Sequence, residues 1–246
     1  MTDLGEAPLT WQYGAQGGLS VLTVDGTLTR TSSELLHAAA TGLLRQGSGR
    51  LLVDLSGLMV ADKDAIRVFA GIAAQALLYP DVLVMVCAPT AEVMRLLSVG
   101  VLDARLVFDS MVTARAAALA ESPAMTEDLL PISGAARQAR NVITEACLLW
   151  DEPDLIGSAA LVVSEMVTNA VVHAHTMMTM QVHLRPCHVR IAVFDGSGRP
   201  AAARAASVSG TGGRGLHLVE AVSEVWGSAT LPEGKVVWAA LSRTGR

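Results

Sequence analysis

The sequence predicts two domains, an N-terminal α/β domain on a largely parallel sheet and a C-terminal α+β sandwich. Three observations predict it. Strand-like runs alternate with helical stretches of about 8–16 residues as far as residue 120, which is the rhythm of βα units. Residues 121–133, ESPAMTEDLLPIS, hold two prolines, three acids and two serines, break that rhythm and read as a linker. Over residues 134–242, two long helices precede a strand hairpin, one more helix and a closing strand. The expected domains are therefore residues 8–120 and 134–242, with no internal repeat between them.

In the first domain, residues 9–13, 19–24 and 50–55 read as short strands, separated by Gly-rich turns and by a helix over residues 31–46. A second helix is expected from Asp64 to Tyr79, stopped by Pro80. A strand over residues 81–87, a helix over 91–98, a short strand over 105–108 and a last helix to Ala120 follow. The apolar runs Leu51 to Val53 and Val82 to Cys87 suit strands covered on both faces. In the second domain, helices are expected over residues 134–149 and 154–174 and strands over 178–185 and 188–195. A loop rich in Gly, Ala and Ser then runs over 196–213, followed by a helix over 215–225 and a strand over 236–241.

Composition bounds the function classes. The 246 residues suffice for two domains of roughly 100–130 residues each. A hydrophobic fraction of 51%, a charged fraction of 17% and a mean hydropathy of +0.44 exclude a disordered chain. The longest clean apolar run, Val82 to Ala88, is far short of the ~20 residues that span a bilayer. The N-terminus, with Asp3 and Glu6, lacks the basic start of a secretory signal, so a cytoplasmic protein without a membrane partner is expected. Residues 1–120 carry 8 basic and 11 acidic side chains, and residues 121–246 carry 10 and 12. Neither half has the basic excess that phosphate neutralisation requires, so direct nucleic-acid binding is not expected. Cys87, Cys147 and Cys187 are widely spaced in apolar surroundings and read as buried free thiols.

Three elements of the second half carry chemistry. In LVVSEMVTNAVVHAH, Glu165, Asn169 and His173 are spaced i, i+4, i+8 and form one polar stripe on an otherwise apolar helix. A solvated stripe explains them, but Asn is a poor mid-helix choice unless its amide has a task. Its amide oxygen suits Mg²⁺, and a carboxylate one turn away can take a proton from a hydroxyl. In IAVFDGSGRP, Asp195 ends an apolar strand and is followed by Gly196, Ser197 and Gly198. Such a carboxylate can accept a hydrogen bond from the exocyclic amine of adenine, and an ordinary turn explains the same residues. In GTGGRGLHLVEAV, starting at Gly210, four glycines in six residues open an amphipathic helix. Backbone N–H groups gathered there can hold phosphate, and a flexible surface loop is the alternative. No GK[ST] follows, so this is not a Walker A loop.

ExxxNAxxH, then a strand ending in Asp, then GGRGL and WG, resembles the Bergerat-fold ATPases, and most closely the serine kinases that act as bacterial anti-sigma factors. The resemblance covers residues 134–242 and includes PEGKVVWAAL. It implies a Bergerat ATPase sandwich that binds ATP and Mg²⁺. Glu165 would be the general base, Asn169 the Mg²⁺ ligand and Asp195 the reader of adenine. His173 and Gly198 would help bind the nucleotide, and Gly210, Gly212, Gly213, Arg214 and Gly215 would form a lid over the phosphates. Two positions depart from the pattern: Arg199 stands where a second glycine is common, and Val236 where a hydroxyl residue is frequent.

The segment LLVDLSGLMVADKDAIRVFAGI resembles the STAS domain of anti-sigma factor antagonists, whose pattern is roughly DLSxxxxxDSSGL. That resemblance covers residues 8–120 and implies the α/β STAS fold. In that family the second serine is phosphorylated by the partner kinase. Here Lys63 and Asp64 replace the serine pair and Ala65 replaces the glycine. Asp64 thus marks a degenerate phosphoacceptor position, and as a residue at a helix start it is expected to accept backbone N–H bonds.

Together these resemblances imply a cytoplasmic partner-switching regulator of transcription. It would phosphorylate a serine of a separate anti-sigma factor antagonist, with a sigma factor as competing partner and room for a homodimer. The alternative is a non-catalytic ATP-binding scaffold carrying an unswitchable STAS docking domain.

Overall fold

A computed structural model describes residues 7–16, 18–45, 49–79, 82–120, 122–199 and 214–243. The chain divides into two compact units, residues 1–121 and 122–246.

The first unit is a five-stranded sheet with helices on both faces. Strand β1 (Thr10–Gln16) pairs antiparallel with β2 (Leu19–Leu28). Helix α1 (Arg30–Arg45) leads to β3 (Arg50–Val60), α2 (Val68–Ala76) to β4 (Leu83–Cys87), and α3 (Ala91–Leu97) to the short β5 (Val107–Phe108). From β2 to β5 the sheet is parallel, in the order β1-β2-β3-β4-β5. Successive strand side chains point to opposite faces, so both faces need cover. Leu51, Val53 and Leu55 of β3 face Leu36, Ala40 and Leu44 of α1 and Phe69 and Ile72 of α2. Leu52, Met85 and Cys87 face Ala114 and Ala118 of α4 (Met111–Leu119). Thr90 and Ser110 cap α3 and α4 by accepting the N–H of Val93 and Thr113.

The expected α/β class is observed, with two local differences. Strand β3 runs on to Val60, five residues beyond the expected end. The stretch expected to open a helix at Asp64 instead begins with a 3-10 turn, Lys63–Arg67. Its cap is Asp62, whose carboxylate accepts the N–H of Asp64 at 3.0 Å. Asp64 itself is exposed in the first turn and does not make the cap.

The second unit is one antiparallel sheet, ordered β6-β7-β8-β10-β9, with helices packed on one face. Its edge strand β6 (Ala124–Leu129) lies within residues 121–133, which were expected to form only a linker. The alternation Ala-Met-Thr-Glu-Asp-Leu is polar enough to read as loop. Pairing with β7 (Met178–Leu184) nevertheless engages one side of its backbone, and Leu129 is fully buried. Helix α5 (Ala135–Leu149) packs on α6 (Ile156–His173), which a 3-10 turn with Pro153 at its start introduces. Strand β8 (His188–Asp195), α7 (Arg214–Val222), β9 (Val225–Leu231) and β10 (Gly234–Ser242) complete the unit. Residues 225–231 form a strand that was not anticipated.

Alternate residues of β8 and β10 (Val189, Ile191 and Val193; Val237, Ala239 and Leu241) meet Val162, Met166, Ile143 and Val219 of the helices. Over Pro153–His173 the chain is apolar enough to resemble a membrane span, with a mean hydropathy of 1.7. Its residues Ala159, Val162, Val163, Met166, Val167 and Ala170 are buried in this core.

All three cysteines are buried and stand outside any disulfide, as expected. Burial, assisted by the charge of Asp54, pushes the Cys87 thiol up to about 12. Burial and Glu152 push that of Cys147 up to about 11.

Candidate functional site

Helix α6 is the wall on which the site is built. Its apolar residues face the sheet, which leaves Glu165 and Asn169, one turn apart, half-buried along one edge. His173 continues the stripe but is exposed at the last residue of the helix. Glu165 meets the start of α7, where Gly215 is so close that an added Cβ would collide with the Glu165 carboxylate. Gly215 has an ordinary helical backbone, and the described glycines of left-handed φ do not include it. Glycine there leaves room for the Glu165 carboxylate and does not serve an unusual dihedral.

The end of β8 forms a second station. Asp195 is buried and its Oδ1 accepts the backbone N–H of Ser197 at 2.8 Å. Gly196 N donates to Thr176 Oγ1 at 2.8 Å, fastening the turn after β8 to the segment that leaves α6. That segment turns sharply at His175, whose φ is 55°.

The residue facing Asp195 was not singled out from the sequence. Lys235, paired in register across β8 and β10, donates from Nζ to Asp195 Oδ1 at 2.8 Å. The two side chains are 8% and 2% exposed. Val236, the departure noted in the sequence, lies elsewhere. It packs with Ala192 and Trp238 in an apolar cluster that shares no residue with the helix-facing core. Strand alternation could have shown this: Val237, Ala239 and Leu241 face the helices, so Lys235 shares their face with Asp195 and Val236 does not.

The expected residues thus fall into three groups. Glu165 and Gly215 are brought together, with Asn169 one turn from Glu165, and Asp195 stands at a buried strand end fastened to the exit of α6. Gly198 and Arg199 are exposed in the turn after β8, and Arg214 opens α7. Gly210, Gly212 and Gly213 lie outside the described residues.

A Mg·nucleotide fits this donor set. Asn169 offers a hard oxygen atom of the kind Mg²⁺ takes, and Glu165, one turn away, holds a half-buried carboxylate against the start of α7. A buried carboxylate with hydrogen bonds on one oxygen suits an exocyclic amine.

Comparison with known proteins agrees with this division of the chain. The family model described as Mlab, STAS domain, matches residues 11–113. That of the histidine kinase-like ATPase domain matches residues 133–241. Two of the solved structures that match illustrate the likeness. The RsbU and RsbW domains of Rv1364c from Mycobacterium tuberculosis align over 52% of this chain and 35% of theirs, at 22% identity and a TM-score of 0.39. The chain thus spans about a third of that relative. The anti-sigma factor antagonist SpoIIAA in its unphosphorylated form aligns over 46% of this chain and all of its own, at 14% identity and a TM-score of 0.38. No protein of curated function matches the sequence. The chain is therefore a STAS domain followed by a histidine kinase-like ATPase domain.

Proposed function

We propose that this protein is a partner-switching regulator whose ATPase domain binds Mg·ATP and phosphorylates a serine of a separate anti-sigma factor antagonist. A sigma factor competes for the same kinase. The observation that carries this reading is the seat of the Glu165 carboxylate against Gly215 at the start of α7, with Asn169 one turn along the same helix.

Phosphoryl transfer asks mainly for positioning and charge neutralisation, so few groups suffice. Asn169 would hold Mg²⁺, which supplies neutralisation of phosphate charge when bound. Asp195 accepts the adenine amine. His173 and Gly198 would flank the nucleotide. Glu165 accepts the serine hydroxyl proton as the Oγ–P bond forms and the bond from the γ-phosphorus to the β,γ-bridging oxygen breaks. Asp64 offers no hydroxyl and carries a fixed negative charge where a phosphoserine would carry about 1.5–2. Position 64 therefore cannot be the acceptor, which this reading places on a separate protein.

The test is a pull-down with the full chain from its native host, with and without ATP, followed by phosphopeptide mapping. An ATP-dependent phosphoserine on a captured STAS-type protein is expected. ATP binding with no phosphoserine on any captured protein would leave the domain a nucleotide-shaped scaffold and overturn the kinase reading.

A further inference from the structure

Lys235 is left unexplained by the reading above. It stands opposite Asp195 in the β8–β10 register, and Gly234 brings it there. Gly234 has φ +145°, and a Cβ on it would collide with the Asp195 carbonyl, so the start of β10 closes tightly on the end of β8. The ammonium has three donors. One is spent on Asp195, the one hydrogen-bond partner of Lys235 among the described residues. A buried ammonium with donors to spare is costly unless further acceptors reach it.

The carboxylate is engaged on one side only. Both of its hydrogen bonds among the described residues, from Lys235 Nζ and Ser197 N, fall on Oδ1. Among the described residues, the pair therefore leaves one carboxylate oxygen beside an ammonium with unspent donors. Guanine offers two parallel N–H groups, N1–H and N2–H, that want both oxygens of a carboxylate. Adenine offers one N–H donor, at N6, next to one acceptor, N1. One acceptor beside one donor fits adenine.

We propose that Asp195 and Lys235 together read the Watson–Crick edge of adenine, Asp195 accepting from the N6 amine and Lys235 donating to N1. This rests on the nucleotide-binding reading and adds a second specificity-determining residue to it. Lys235 supplies a direct, charged donor to the base.

Calorimetric titration of the full chain with Mg·ATP, Mg·1-deaza-ATP (carbon in place of N1) and Mg·GTP tests it. On the wild type, 1-deaza-ATP is expected to bind about 10- to 100-fold more weakly than ATP, the worth of a hydrogen bond to a charged group. In K235M, ATP should weaken by a similar factor while 1-deaza-ATP weakens little further, because both changes delete the same contact. Equal wild-type affinity for ATP and 1-deaza-ATP overturns the role of Lys235 while leaving nucleotide binding standing. GTP binding as tightly as ATP overturns the assignment to adenine. If none of the three binds, the nucleotide reading falls and this one with it. Should K235M fail to fold, the wild-type comparison of analogues decides alone.

Discussion

Gly215→Ala separates chemistry from stability in one substitution. The new Cβ would collide with the Glu165 carboxylate, the mobile end of a long side chain rather than fixed backbone. Glu165 can therefore swing away, by roughly 1 Å to regain van der Waals contact. The helix gains, since alanine is favoured over glycine by about 0.5–1 kcal/mol in a helix. For a domain of this size that leaves the Tm unchanged or raises it by about 2–4 °C. Catalysis loses, because a base misplaced by about 1 Å costs on the order of 100-fold. The assay is single-turnover transfer of γ-labelled phosphate to the acceptor identified by phosphopeptide mapping, alongside a melt and an ATP titration of the same variant. E165Q/G215A should transfer no more slowly than E165Q alone, because the second change acts only through Glu165. A G215A variant that transfers at the wild-type rate, or one whose Tm collapses, refutes the argument.

The other functional residues give shorter tests. E165Q should bind ATP normally while transfer falls by ~10²–10⁴-fold, and unchanged transfer would return Glu165 to a solvated stripe. N169A should keep its fold, since Ala is the better helix former, but lose the Mg²⁺ dependence of ATP binding in titrations run with and without the metal. D64S should introduce a phosphoacceptor that mass spectrometry finds after incubation with ATP, whereas wild-type residues 63–64 stay unmodified. The Cys87 and Cys147 thiols, pushed up to about 12 and about 11, stay protonated at pH 8. Thiolate is the reactive form, so maleimide should label both only after denaturant, and rapid native labelling of either would contradict their burial.

Elements that bury a continuous apolar surface were legible in the sequence, because periodicity reports burial directly. The parallel strands β3 and β4 read as apolar runs, and α6 as an apolar helix bearing the stripe of Glu165 and Asn169. Strand β6 was not legible. It lies at a sheet edge, and its Thr, Glu and Asp match the composition of a linker. Strand β9 was hidden likewise, since its end residues Thr230 and Leu231 are exposed and its burial elsewhere is partial. Within the site, Asp195 was legible as an acid ending an apolar strand. Lys235 was not, because its meaning depends on a partner 40 residues away that only the strand register supplies. Gly215 was legible as part of a glycine-rich opening, but its closeness to Glu165 was not, because that neighbour is a side chain from another helix.

The two carboxylates of the site make opposite demands on burial, and stability measurements can tell them apart. Glu165 is half-buried, as the proposed base for a hydroxyl delivered from solvent would need to be, so its removal should leave the fold nearly unchanged. Asp195 and Lys235 are paired where water scarcely reaches, with side chains 2% and 8% exposed. Removing one member of such a pair leaves an uncompensated buried charge, at a cost of about 3–5 kcal/mol. K235M should therefore lower the Tm of the second unit by roughly 10 °C or more, and E165Q should not. Replacing both members restores electrical balance, so D195N/K235M should melt above K235M while binding ATP no better. If K235M melts with the wild type, the β8–β10 closure does not depend on the ion pair. If the double variant binds ATP as tightly as the wild type, neither residue reads the base.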